Sequence, residues 1–437
     1  MKFKLETEFQ DTEIGKIPKD WKIVKLKDVA EIRGSKKIPQ GVDKVVFIPM
    51  EAIPEDGTYI KFELRDINEV KSYVYCEPGD ILLAKITPSF ENGKQGIVPL
   101  EIPQKFALAT TEVYPIKGKK INTFFLFYLL KYPSIRGKLI SLMRGTTGRK
   151  RVPREALENQ WIPLPPIEEQ KKISEILLTV DKALENVGNA IARLEGLKKA
   201  LMRELLTGRI RVRKENGKLF SYRETEFQET EIGKMPKEWG LAKLEEIAKI
   251  IAGPFGSQLK KSELTNQGIK VYTQENVLER NFEIGNLYIS EEKFKELKNF
   301  EVMPSDVLLT IRGTIGKSIK VPTGITKGIV HTNLAIIRLE KKEVLPDFVE
   351  LVFNESEILM EQVRRVHSAT TIPALYGRTL KQIKIMLPPL NEQKVIIDIS
   401  STIDRAIELY RGEKVRLDRL KRGLMDLLLT GRVKVVE

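Results

Sequence analysis

Residues 165–209 read PPIEEQKKISEILLTVDKALENVGNAIARLEGLKKALMRELLTGR, with no proline between Ile167 and Thr207. Apolar residues recur there at Ile173, Leu177, Val180, Leu184, Val187, Ile191 and Leu194, steps of four and three that keep one stripe on a helix. At 1.5 Å per residue the helix would be a rod of roughly 60 Å. A rod with a single narrow seam needs a partner along its length, and the sequence supplies one. Residues 388–432, PPLNEQKVIIDISSTIDRAIELYRGEKVRLDRLKRGLMDLLLTGR, open on the same Pro-Pro and close on the same Leu-Leu-Thr-Gly-Arg, at a constant offset of 223. The second seam runs Ile396, Ile403, Ile407, Tyr410, Leu417, Leu424 and Leu428, interrupted near Lys414. Proline and carboxylates at both starts suit the free N–H groups and positive dipole end of a helix. Gly208 and Gly431 stand where a helix C-cap needs positive φ.

The repetition extends further. Residues 6–21, ETEFQDTEIGKIPKDW, return at 224–239 as ETEFQETEIGKMPKEW, with 13 of 16 positions identical. The chain is a tandem duplication, each copy running from a lead-in segment through a globular body and a Leu-Pro-Pro boundary to a long helix. This places a first body over 1–162, its helix over 163–210, a polar, charged linker over 211–223, a second body over 224–385, and the second helix with a short tail over 386–437. The bodies share only an outline. PGDILLAKI at 78–86 and PSDVLLTIR at 304–312 both read as a turn and a buried strand, and TTEVYPI at 110–116 answers HTNLAII at 331–337. Helix-like apolar segments follow at 121–132 and 345–355. Between these anchors the polar residues differ, as they would if each body read something different.

With 437 residues and 41% hydrophobic content, the chain can bury more than one core. A net charge of +14 favours a polyanionic partner. One cysteine, Cys76, excludes internal disulfides and a cysteine-rich zinc site, and two histidines, His331 and His367, leave no metal cluster to build. A reducing cytoplasm fits. The N-terminus has no signal-like apolar region and the longest apolar run, at 124–130, is too short to span a membrane.

Two variable bodies, each preceded by Ile-Gly-Lys-x-Pro-x-x-Trp and followed by a helix opening with Leu-Pro-Pro-x-x-Glu-Gln and closing with Leu-Leu-Thr-Gly, closely resemble the specificity subunit of type I restriction–modification systems. The boundary motif stands at 164–170 and 387–393, the lead-in motif at 15–21 and 233–239, and the likeness covers nearly the whole chain twice over. It implies an α+β chain with two globular target-recognition domains in tandem repeat. Equal helix lengths and duplicated order fit an antiparallel coiled coil with pseudo-twofold symmetry. It also implies a non-catalytic, sequence-specific DNA-binding subunit that recognises an asymmetric bipartite site, one half-site per domain, with the helices as spacer. The implied partners are double-stranded DNA, modification (methyltransferase) subunits, two in number, that bind S-adenosylmethionine, and ATP-dependent restriction subunits. The chain itself is expected to hold no cofactor and no metal.

The residues agree that chemistry lies elsewhere. RGTIGKS at 312–318 ends like a phosphate-binding loop, but Ile311 stands where that loop needs glycine. The Pro-Pro pairs follow leucine and precede Ile167 or Leu390, unlike an adenine-methyltransferase motif. Neither histidine sits in a triad-like setting.

For DNA, the expected contacts come from loops mixing Arg and Lys with Gln, Asn, Ser and Thr, since phosphate contacts position and amide or guanidinium groups read base edges. Four segments qualify. Residues 87–95 offer Asn92, Lys94 and Gln95, and residues 143–153 offer Arg144, Thr146, Thr147, Arg149, Lys150 and Arg151. In the second copy, residues 253–261 offer Ser257, Gln258, Lys260 and Lys261. Residues 363–373, the counterpart of 143–153, offer Arg364, Arg365, His367, Ser368, Thr370 and Thr371. Arg312 could equally pair with a carboxylate. The rival reading is a coiled-coil scaffold holding two protein-binding domains, its basicity incidental; it expects binding that ignores DNA.

Overall fold

The computed structural model describes residues 2–34, 42–367, 375 and 377–436. The chain forms two compact units, Met1–Ala190 with Tyr410–Glu437, and Ile191–Leu409. Both long helices, Ile167–Leu205 and Leu390–Leu429, therefore contribute one segment to each unit.

In the first unit a four-stranded antiparallel sheet has the order Gln95–Ile97, Ile81–Ala84, Val113–Gly118, Ala30–Ile32. A second sheet orders Glu63–Asp66, Lys44–Ile48, Ala107–Ala109 and Val74–Cys76, with one parallel pair in it. Helix Thr123–Lys131 buries Phe125 through Leu130 without a break, as an apolar run with no polar face must. Asn122 caps it by accepting the Phe125 N–H at 3.0 Å.

The second unit repeats the main sheet strand for strand: Ser318–Lys320, Val307–Thr310, Leu334–Leu339, Ala248–Ala252. Its smaller sheet orders Tyr288–Ile289, Ile269–Tyr272 and Gly328–Val330, again with one parallel pair. Helix Pro346–Glu355 buries Phe348, Val349, Val352 and Phe353.

The repeated motifs meet at one latch in each unit. In the first, Trp21 Nε1 donates to Glu169 Oε2 at 3.0 Å, and Gln170 Nε2 donates to the Pro165 carbonyl at 2.8 Å while its Oε1 accepts the Asn122 N–H. In the second, Trp239 Nε1 donates to Glu392 Oε2 at 3.1 Å, and Gln393 bonds the Pro388 carbonyl at 2.9 Å and accepts the Leu345 N–H. The Glu-Gln pair thus ties a helix start to the lead-in tryptophan on one side and to the body on the other. The end of the other long helix closes the latch. Gly431 (φ +69°) lies so near Pro18 that a Cβ would come within 2.4 Å of its Cγ, and Gly208 (φ +67°) stands in the same relation to Pro236 at 2.3 Å. Each unit is therefore built from one copy's lead-in, body and helix start together with the other copy's helix end.

Within each unit the two helix segments run antiparallel. Ile173 and Leu177 share a core with Met425 and Leu428, and Asp181 pairs with Lys421 at 2.5 Å. Met202 and Leu205 share a core with Val395 and Ile396, and Lys198 pairs with Asp404 at 2.8 Å. Of the seam residues, Ile173, Leu177, Val180, Ile396, Ile403, Ile407 and Leu428 are buried, while Leu184, Val187, Ile191, Leu194, Leu417 and Leu424 are half-buried. Tyr410 departs from the seam: it is 41% exposed, within a stretch from Glu408 to Arg416 whose residues are all exposed. The helix residues that share a core with a body, Ile173, Leu177, Leu428 and Ile396, are the most completely buried of the seam.

Residues 211–223, expected as a linker between the copies, form most of a β-hairpin, Ile210–Glu215 with Lys218–Arg223. Asn216 (φ 49°) and Gly217 (φ 77°) form the type I′ turn that Asn-Gly favours. In the first unit, Lys2–Leu5 pairs with Val433–Val436 in the equivalent register, Leu5 opposite Val433 as Arg223 is opposite Ile210.

Candidate nucleic-acid interface

A shared backbone frame carries the polar loops. In the first unit the strand Ile81–Ala84 runs into Lys85, whose N–H donates to the Glu112 carbonyl at 3.0 Å and whose carbonyl accepts the Val152 N–H at 2.9 Å. Thr87 N–H donates to the Lys150 carbonyl, and Arg144 and Arg151 bond each other's backbone at 2.8 and 2.9 Å. The second unit repeats the two bonds made at Lys85: Ile311 N–H donates to the Asn333 carbonyl at 2.9 Å and the Ile311 carbonyl accepts the Leu375 N–H at 2.8 Å. So Glu112 and Asn333 occupy one frame position, and Lys85 and Ile311 another.

On this frame the first unit exposes Arg144, Thr146, Thr147, Arg149, Lys150 and Arg151 on one loop. Arg151 meets Glu112 through two parallel bonds, Nε to Oε2 at 2.9 Å and Nη2 to Oε1 at 2.8 Å. The Arg151 bond holds the Glu112 carboxyl below its ordinary pKa. Lys85 lies 5.1 Å from the Tyr114 ring centroid, and burial holds its pKa down.

The segment 87–95 divides. Its start joins this cluster, whereas its polar side chains turn to the body. Asn92 is exposed with its amide 3.5 Å from Glu55, and Lys94 Nζ donates to the Met50 carbonyl at 3.1 Å. Gln95, expected among the base-reading residues, is fully buried. Its Nε2 donates to the Phe127 carbonyl at 2.7 Å, and its Oε1 accepts from buried Arg136, whose pKa burial pushes down to about 10. A buried amide satisfied on both ends holds the core together and has no group left for a base.

In the second unit, Gly253 is pinned beneath the loop after Val330: its N–H bonds the Leu334 carbonyl, and a Cβ would come within 2.3 Å of the His331 carbonyl oxygen. Beyond it Ser257, Gln258, Lys260 and Lys261 are exposed, with the Gln258 carbonyl oxygen accepting the Phe255 N–H of its own turn. Arg364 and Arg365 are exposed on helix Glu357–His367, where Arg365 pairs with Glu361 at 2.6 Å. His367 ends that helix, and Ser368, Thr370 and Thr371 lie outside the described residues. Residues 311–317 connect antiparallel strands Val307–Thr310 and Ser318–Lys320, with Gly316 against Met360 and Val363. Arg312 is half-buried there, and burial, with a smaller contribution from the Arg312 charge, holds the His331 pKa down.

The frame positions Glu112 and Asn333 were not among the expected site residues. The signal was available, since the strand starts TTEVYPI and HTNLAII align and differ there. Cys76 is buried and its thiol pKa is raised by burial, the opposite of a nucleophile's environment. Among the described residues no group of three or more His, Cys, Asp or Glu could hold a metal ion, and no helix is long and apolar enough to cross a membrane.

The family model for the type I restriction modification DNA specificity domain matches residues 18–195 and 236–419. The chain is 28% identical to the putative type I restriction enzyme MjaX specificity subunit of Methanocaldococcus jannaschii, over 100% of this chain and 99% of that one. It is likewise 28% identical to the MjaVIII specificity subunit of the same organism, over 100% and 98%. In structure it resembles the type I restriction–modification S subunit from M. genitalium, with a TM-score of 0.55 and 14% identity over 93% of this chain and 96% of that one.

Proposed function

We propose, from the premise that this chain belongs to the type I restriction modification DNA specificity family, that it is the recognition subunit of a type I restriction–modification complex and reads an asymmetric, bipartite DNA site, one half-site per body. The chain is non-catalytic: methylation and cleavage belong to modification and restriction subunits that dock on it. The long helices act as the spacer between half-sites, and the complex works in the cytoplasm.

The observation that carries this reading is the frame itself. Backbone bonds are repeated in both units while the side chains set on them change from Glu112 to Asn333 and from Lys85 to Ile311. Two readers of one design would differ in this way, because phosphate-binding loops position a protein and a few side chains at base edges specify the sequence.

Selection from randomised duplexes, with the chain alone and then with a modification subunit from its host, tests it. The expected result is two short, unlike half-sites at one spacing, with log affinity falling against log salt at about −0.9 per phosphate contact. No enrichment with the partner bound, and binding insensitive to DNA, would put the protein scaffold in its place.

A further inference from the structure

Within the first unit's loop cluster, the geometry points to Arg151 as a guanine-reading residue and to Glu112 as the residue that positions it. This rests on the reading that the first body binds DNA.

Arg151 is held from two directions. Its backbone is locked to Arg144 by two hydrogen bonds, and its guanidinium lies side by side with Glu112 through Nε and Nη2. Glu112 is itself fixed at the strand start by the Lys85 N–H. A guanidinium bound along its Nε–Nη2 edge keeps its outer edge, Nη1 with the second Nη2 hydrogen, for another partner. The other contact on that edge is a long one, Nη1 to the Arg149 carbonyl at 3.4 Å. The Arg151 side chain is 45% exposed, so a ligand can reach it.

Two adjacent donors in one plane match the O6 and N7 acceptors that guanine presents in the major groove. Phosphate is the competing partner for any arginine, and here charge decides against it. Glu112 neutralises Arg151, so an approaching phosphate meets a carboxylate as well as a guanidinium, whereas directional bonds to the partial charges of a base edge survive that neutralisation. Exposed Arg144, Arg149 and Lys150 stand beside the pair with no carboxylate partner among the described residues, and they supply the phosphate contacts. At the same frame position the second unit has Asn333, an amide with no counter-charge. The two bodies thus set different chemistry on one backbone.

The test is duplex selection and binding with the full chain, wild type against Arg151→Lys, Glu112→Gln and Glu112→Asp. Arg151→Lys keeps the charge and loses the paired donors. It should relax one G·C position of one half-site by about 10- to 100-fold, leaving the other half-site and the salt slope unchanged. Glu112→Gln should relax the same position while raising affinity for unrelated sequences, because the freed guanidinium becomes available to phosphate. Glu112→Asp should restore part of the preference. Replacing that guanine by 7-deazaguanine should cost wild type binding, and cost Arg151→Lys less, because a lysine keeps a donor for N7 but not the planar pair. A uniform loss of affinity across sequences in Arg151→Lys, or an unchanged profile at every position, would overturn the assignment. If wild type selects no bipartite site at all, the half-site reading fails along with it; if it does and only the Arg151 effect is missing, this inference alone fails.

Discussion

The latches of the two units are the same device built around different cations. In the second unit, Arg211 is 4% exposed and reaches three carboxylates: Glu392 at 2.9 Å, Glu224 at 2.6 Å and Glu238 at 3.0 Å. Its counterpart in the first unit is Lys434, which reaches Glu6 at 3.0 Å and Asp20 at 2.5 Å. Those two correspond to Glu224 and Glu238. The third carboxylate, Glu169, is held only by Trp21, and among the described residues no donor reaches its buried Oε1. Burial accordingly raises the Glu169 pKa. The planar guanidinium of Arg211, with five donors in a wide fork, bridges three carboxylates, whereas the compact ammonium of Lys434 pairs with two. Duplication therefore preserved the carboxylates and the tryptophan, but the two latches differ in how completely their charges are matched.

The largest effect should come from removing the better cation. Arg211→Ala leaves Glu392 and Glu224 buried without a counter-charge and is expected to cost about 3–5 kcal/mol. Lys434→Ala strands Glu6 and the half-exposed Asp20 but uncovers no carboxylate as buried as Glu392, and should cost markedly less. Native-state hydrogen exchange of strands Ile210–Glu215 and Val433–Val436 separates the two, and equal losses would dissolve the contrast.

Next in size, Gly208→Ala and Gly431→Ala should each cost about 2–4 kcal/mol, combining a left-handed conformation with overpacking against proline. Here the units should respond alike, because both glycines have nearly equal φ and the same proline neighbour. Denaturant titration followed by exchange in each unit tests that equality. An effect in one unit alone would mean that the two helix ends are not equivalent.

Smaller again, Lys434→Arg should bring a donor to Glu169 and stabilise the first latch by about 0.5–1.5 kcal/mol. No gain would show that the Glu169 oxygen is not in need of a partner.

The smallest effect is a pH dependence. Because the folded-state pKa of Glu169 is raised, its contribution is full below the unfolded value and is lost as pH rises through the folded one. Comparing wild type with Glu169→Gln, which retains an acceptor for Trp21, the wild type should lose latch stability relative to the variant as pH climbs above the ordinary carboxylate range. A constant difference across pH 4 to 7 would contradict the raised pKa.

Much of the fold was legible because periodicity and repetition are local properties of a chain. The helix seam, the Pro-Pro starts and the glycine ends follow from spacing alone, and the strands Ile81–Ala84 and Val307–Thr310 follow from their unbroken apolar runs. The segment 210–223 is polar and charged as a linker is, and it is its cross-strand pairing about the Asn-Gly turn that gives it the form of a hairpin. Gln95 was not legible as a core residue: a glutamine after a lysine has the composition of a DNA-binding loop, and only the backbone carbonyl of Phe127 and the guanidinium of Arg136 bring it into the core. Tyr410 has the spacing of a seam residue, but spacing says nothing about whether a body packs beside that turn.

The sequence by itself determined that this protein is two copies of one plan, where each long helix starts and stops, and that the bodies differ in their polar loops. Those properties depend on residues close together in the chain or on direct comparison of the copies. Tertiary structure alone decided that each latch joins the lead-in and helix start of one copy to the helix end of the other. It also decided that Glu112, Arg151 and Lys85 share one frame. Both depend on contacts between distant segments, where hydrogen-bond geometry and burial, rather than residue type, select which polar groups remain free to act.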